Sequence, residues 1–232
     1  MTRALSPLVD GALWSSERPV WFSGVRLRAR TTVVRLEDGG LLLHSPAPPT
    51  DAMVEELAAI GPVRWLVVPN CFHHLGTPAA AARFPDAKIV APASIGPKSP
   101  TLTIHRDIRD PALAADLPEL EALPLLGVPF LDETLLYHRP TRTLLGADVV
   151  LRARPEDHWT WRFAARIMGC HDRLRVPPDV KHKLPDKRAT ADALRAILER
   201  PAERLVVAHA DVVEAGCRDR LAEAWRLEAV DV

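Results

Sequence analysis

The sequence predicts an α/β protein, a layered sandwich of helices over two sheets, on three observations. The chain opens with alternating strand-like runs joined by a tight turn. It then repeats a strand, helix, strand order, and short apolar strands in both halves end on a histidine or an aspartate. A length of 232 residues suits one sizeable domain, 1–232, which buries most of the surface of its unfolded chain.

Each element follows from local pattern. Val25–Arg30 alternates apolar and basic residues, Thr31–Leu36 continues it, and Asp38-Gly39-Gly40 is a hairpin turn into Leu41–His44. Thr50 can cap a helix whose apolar positions Met53, Leu57 and Ile60 share one face, and Gly61-Pro62 ends it. Trp65–Val68 is a buried strand, Thr77-Pro78 starts a short helix ending near Phe84-Pro85, and Lys88–Ala91 is the next strand. Strands are then expected at Leu123–Leu126, Glu133–His138 and Thr143–Asp148. Helices are expected over about Glu156–Met168 and Thr190–Leu198, followed by a strand at Arg204–His209 and a helix over Cys217–Leu227.

Composition excludes several classes. Thirty basic residues balance 30 acidic ones, so no overall field would hold a nucleic acid or an anionic membrane. Hydrophobic residues make up 47% of the chain, with no run approaching the ~18 apolar residues of a membrane span. Met1–Asp10 meets a proline and an acid too early for a secretory signal, so a cytoplasmic protein is expected. The three cysteines, Cys71, Cys170 and Cys217, have neither disulfide-framework nor zinc-knuckle spacing and fit reduced thiols. There is no Gly-x-Ser-x-Gly elbow, no phosphate-cradling glycine loop and no dinucleotide fingerprint.

The chemistry gathers at strand ends. Pro69-Asn70-Cys71-Phe72-His73-His74-Leu75-Gly76-Thr77 follows the Trp65 strand, Asp148 follows Leu145, and His209 follows Val207. Loops leaving such strands are where α/β proteins collect functional side chains. Imidazole nitrogen and carboxylate oxygen are ligands that zinc, iron and manganese accept at neutral pH. His73, His74, Asp148 and His209 are therefore candidate metal ligands.

The ordered set resembles the metallo-β-lactamase superfamily, and the likeness covers most of the chain. Leu41–Pro46 is similar to that family's early strand into an Asp-Thr-Gly loop, Leu144–Asp148 to the strand delivering its metal-bridging aspartate, and Val206–Asp211 to the strand delivering its final histidine. The resemblance implies an αββα sandwich with a metal site at one edge of its two sheets. The family signature His-x-His-x-Asp-His is not kept. Without a gap, Asn70 and Phe72 stand where the first two histidines would be, His74 takes the aspartate position and Leu75 the last histidine. With a one-residue deletion, His73 falls on the aspartate and His74 on the last histidine. Gly127-Val128-Pro129-Phe130 stands where a further histidine turn is expected.

The Asn-x-x-His-His pattern is thus closest to a divergent, uncharacterised branch. The resemblance implies a metal-dependent hydrolase of a small molecule with a degenerate site of at most one zinc or iron ion. His74, Asp148 and His209 would hold it, with His73 or Asn70 as a fourth member and His74 and Asp148 as the catalytic residues. The alternative is a metal-free binding or scaffold domain on the same fold.

Several other residues invite two readings. His44 is either a donor orienting a ligand or a polar strand end, and Glu133 either a proton carrier or a solvated or capped acid. Cys71 favours packing over ligation. Arg173, Arg175, Lys181, His182, Lys183, Lys187 and Arg188, interleaved with Asp172, Asp179 and Asp186, favour a solvated loop over a steering patch. Trp159 and Trp161 point to different faces of a helix, so one is expected in the core and the other exposed, where a pocket wall or a homodimer contact would use it.

Overall fold

The structure is a computed structural model that describes residues 3–226, with the side chains of Asp179 and His182 outside that description. Its first half holds β1 (Ser6–Val9), β2 (Leu13–Phe22), β3 (Val25–Arg35), β4 (Leu41–His44), α1 (Asp51–Ile60), β5 (Val63–Val67), α2 (Thr77–Arg83) and β6 (Lys88–Ala91). Short elements follow: α3 (Ile95–Lys98), β7 (Arg106–Asp107) and α4 (Leu113–Asp116). The second half holds β8 (Leu120–Pro124), β9 (Thr134–His138), β10 (Thr143–Leu145), α5 (Trp159–Met168), α6 (Pro178–His182), α7 (Lys187–Leu198), β11 (Arg204–Val206) and α8 (Cys217–Trp225).

Strands β1 to β7 form one sheet in sequence order, antiparallel up to β4 and parallel from β4 onward. The second sheet runs β11-β10-β9-β8, with β10 and β11 parallel. Side chains alternate along a strand, so each apolar strand serves two cores. Val34, Leu42, Trp65, Val67 and Val90 meet Leu136, Leu145 and Val206 between the sheets. On the outer face of the first sheet, Val33, Leu41, Leu43, Leu66 and Ile89 pack on Met53 and Leu57 of α1 and Ala80 of α2. Leu135, Tyr137, Leu144 and Leu205 turn outward from the second sheet onto Leu194 and Ile197 of α7 and Leu221 and Trp225 of α8. The result is the expected αββα layering.

Local chemistry fixes the ends. Thr50 Oγ1 accepts from the Met53 amide at 3.2 Å to cap α1, and the Gly61 amide closes it on the Leu57 carbonyl. The runs Val25–Arg30 and Thr31–Leu36 make one strand, β3, which ends at Arg35 and is held by pairing with β2 from Val25 to Val34. β1 and β2 escaped the pattern reading, since Ser15-Ser16-Glu17-Arg18-Pro19 breaks an apolar run. Pro19 is tolerated because β1 reaches only Leu13 to Ser15, leaving β2 an edge strand at that point.

In the second sheet β8 lies at Leu120–Pro124, not Leu123–Leu126, because Leu125 closes a turn by donating to the Glu133 carbonyl. Helix α7 begins at Lys187, where the Asp186 carboxylate accepts from the Ala189 amide, and α5 begins at Trp159 after His158. The last helix is described to Trp225; Leu227 lies outside the described residues. Among the described residues no helix is long and apolar enough to cross a membrane.

Candidate metal centre

Four strands of the two sheets deliver their C-terminal loops to one edge: His44-Ser45 from β4, Asn70 to His74 from β5, Asp148 from β10 and His209 from β11. The turn after β5 is shaped by Asn70, which is fully buried. Its Oδ1 accepts from the Phe72 and His73 amides at 2.9 and 3.0 Å, an Asx turn that sets the direction of both following imidazoles. Its Nδ2 donates to Asp148 Oδ2 at 2.9 Å and Glu133 Oε2 at 3.2 Å, tying this loop to the one after β10.

His73, Asp148 and His209 converge. His73 Nε2 lies 3.2 Å from Asp148 Oδ2, His209 Nε2 lies 3.5 Å from Asp148 Oδ1, and the two Nε2 atoms are 3.2 Å apart. The three side chains are only 9–13% exposed, open to solvent on the cleft side. His209 Nδ1–H donates to the Arg28 carbonyl, which leaves the Nε2 lone pair facing the cluster. Ser45 Oγ sits 2.6 Å from His73 Nδ1. The hydroxyl serves two proton arrangements: it donates to Nδ1 when His73 Nε2–H faces Asp148, and accepts from Nδ1–H when the Nε2 lone pair is the ligand.

The electrostatics follow from burial and proximity. Burial would raise the Asp148 carboxyl, but His73, His209 and the Asn70 amide hold it well below the usual carboxylate range. Burial disfavours charge on His73, yet Asp148 and then Glu133 outweigh it and raise its pKa. Burial draws His209 down to about 4, against the pull of Asp148. Glu133 is pushed up by burial and by the Asp148 charge. It is not a solvated acid: its oxygens accept from the Ala147 and Asp148 amides at 2.7 and 3.0 Å, so it caps the loop that presents Asp148. His44 is buried, its Nε2 has no hydrogen-bond partner, and burial followed by the nearby His73 pulls it to about 3.

The expected residues separate here. His73, Asp148 and His209 are brought together, with Asn70 bonded to one of them. His74 is not in that group. The Asx turn aims it away, and its Nδ1 lies 2.7 Å from Ser99 Oγ, with burial and then Lys98 lowering its pKa. His74, expected as a ligand and catalytic residue, is instead placed against Ser99, apart from the three that converge. Cys71 packs as expected, its thiol pushed up by burial and 3.2 Å from the Phe130 carbonyl. Trp161 is core and Trp159 exposed.

A cleft of about 560 Å³ opens over the cluster, lined by Leu27, Phe72, Leu151, Trp161 and Met168, among others. Pro177 and Val180 line it, but none of the described basic side chains between Arg173 and Arg188 does; the side chain of His182 lies outside the described residues. Pattern reading missed Ser45, the Arg28 carbonyl and Arg30. Arg30 is buried within an alternating basic strand, and its Nη1 donates to the Val207 and Ala210 carbonyls on either side of His209. A hydroxyl directly after His44 was the only available signal for Ser45.

The donor set fits a divalent ion. Tetrahedral coordination at zinc–ligand distances near 2.0–2.1 Å places ligand atoms about 3.4 Å apart. The three observed separations, 3.2, 3.2 and 3.5 Å, already match this. The Nδ1 bonds to Arg28 and Ser45 are the outer contacts that orient ligating histidines.

Solved structures share this architecture along the whole chain. The metallo-β-lactamase from Erythrobacter litoralis, with beta mercaptoethanol in its active site, superposes with a TM-score of 0.66 at 14% identity, over 97% of this chain and 96% of that one. The metallo-β-lactamase FIM-1 from Pseudomonas aeruginosa, in its mono-zinc form, gives 0.63 at 12% identity, covering 98% and 96%. A metallo-β-lactamase from Pontibacter korlensis gives 0.60 at 14%, covering 98% of each chain. No curated protein sequence is significantly similar to this one. Residues 10–158 match the family described as Domain of unknown function (DUF4336). With the metallo-β-lactamase fold and more than half its length within that match, the chain belongs to the DUF4336 family, a divergent branch of that fold.

Proposed function

We propose that this protein is a metal-dependent hydrolase with a reduced, one-metal site held by His73, Asp148 and His209. The observation that carries the reading is the convergence of these three donors, 3.2 to 3.5 Å apart, at the C-terminal edge of both sheets. When bound, a zinc or ferrous ion supplies Lewis acidity and a nucleophilic water near neutral pH.

The chain's own residues prepare the place. The Arg28 carbonyl accepts from Nδ1–H of His209 and Ser45 Oγ can accept from Nδ1–H of His73, which turns both Nε2 lone pairs to the ion. Asn70 holds Asp148 through Oδ2, and Glu133 fixes the backbone that presents it. The apolar cleft wall keeps bulk water from a bound ester or amide carbonyl.

Metal analysis of protein purified without chelator or metal-affinity resin tests this. The parent should carry close to one ion per chain and retain it in His74→Ala. A folded His73→Ala, His209→Ala double variant should carry none. Absence of metal from the parent after exposure to zinc, manganese and ferrous iron would overturn the reading and leave a metal-free binding domain.

A further inference from the structure

The cleft contains a charge that the centre does not use. Arg18, on β2, lines the same cavity as His73, Asp148 and His209. Apart from those three it is the one ionisable side chain in the lining among the described residues, between walls made by Leu27, Phe72 and Leu151. Its Nη1 donates to the Pro48 carbonyl at 3.2 Å, whereas its Nε is buried with no partner. Among the described residues no carboxylate pairs with it, unlike Arg28 and Arg30, which share Glu17 on the same hairpin. Burial alone lowers its pKa, with no acid offsetting the effect. A guanidinium facing an apolar cavity without a counter-charge is costly unless a ligand supplies one.

We propose that the cleft binds an amphipathic monocarboxylate, its apolar body lying on Leu27, Phe72, Leu151, Trp161 and Met168 and its carboxylate on Arg18. A volume of about 560 Å³ suits a small apolar molecule, and one guanidinium, with its fork of N–H groups, balances the single charge of a carboxylate and can pair with it bidentately. The inference deepens the hydrolase reading by naming the kind of substrate. It rests on that reading only for the chemistry, not for the binding.

Calorimetric titration of chelator-treated, metal-free protein with decanoate, decanol and decyltrimethylammonium tests it. These probes share a chain and differ in head charge. Decanoate should bind one per chain and at least about tenfold more tightly than decanol, with the cation weakest. Arg18→Gln should bring decanoate to the level of decanol and leave decanol unchanged. Ala164→Phe, which fills the cavity, should weaken both. Equal binding of decanoate and decanol by the parent, or no saturable binding of either, would overturn the proposal, and the comparison needs no variant to fold. Because the ion is removed beforehand, either result stands apart from the metal analysis.

Discussion

The imidazole of His209 donates from Nδ1 to the main-chain carbonyl of Arg28, 181 residues earlier. One hydrogen bond thus joins the long β2–β3 hairpin of the first sheet to the loop leaving β11 in the second. The Arg30 amide adds a bond to the Ala208 carbonyl at 3.1 Å, and the Arg30 side chain clasps residues 207 and 210. His209 is held by β3 as much as by its own strand.

Replacing Arg30 with Met should leave the Val207 and Ala210 carbonyls without that donor, and Glu17 with Arg28 and Arg154 alone. The variant is expected to lose about 2–4 kcal/mol of stability, read from its urea midpoint. Arg30→Lys keeps the charge but not the fork and should recover part of it. Among folded molecules, zinc affinity by competition with a chromogenic chelator should fall ~10-fold or more, because the clasp orients a ligand without touching the ion.

Asn70, itself fully buried, uses both ends of its amide, two bonds given and two accepted. Asn70→Ala should cost about 2–4 kcal/mol and release His73 from its direction. Asn70→Asp should be worse without metal, since it sets a third carboxylate against Asp148 and Glu133. Added zinc should then raise the thermal midpoint of Asn70→Asp more than that of Asn70→Ala.

His138 ends β9 in a buried position, its Nδ1 2.7 Å from Thr141 Oγ1. Burial pulls it from 6.5 to about 4, against the opposing pull of Glu119. The folded value is the lower one, so the unfolded chain binds the proton first. This contribution to stability is present above pH 6.5 and is lost as pH falls from 6.5 towards about 4. The full loss is up to about 3 kcal/mol. His138→Gln should flatten the urea-midpoint profile across that window and leave it unchanged above it.

The elements legible in the sequence are those whose alternation is carried by apolar residues. Leu41–His44, Trp65–Val67 and Thr134–His138 each send side chains to two separate cores, and the period survives as an unbroken apolar run. β2 hides because its half-buried face carries the polar Ser16 and Arg18, while Glu17, on the other face, is engaged with arginines across the hairpin. The strand-end rule located Asp148, His73 and His209. It could not choose between His73 and His74, because adjacent residues in a turn point in different directions and the Asn70 side chain decides which one faces the cluster. Backbone acceptors such as the Arg28 carbonyl leave no trace in residue identity at all.

The centre is assembled from segments that are far apart along the chain, and no stretch shorter than that from Arg28 to His209 contains all its contacts. Such a site has high contact order. Its three donors cannot meet until both sheets have formed and docked, so it completes late in folding. An ion recognising the finished geometry would bind neither a half-made chain nor a partly opened one, and would stabilise only the closed native state. Metal uptake would then report the last docking event, the arrival of the β11 loop against the hairpin, and its rate would separate that step from the earlier formation of the strands.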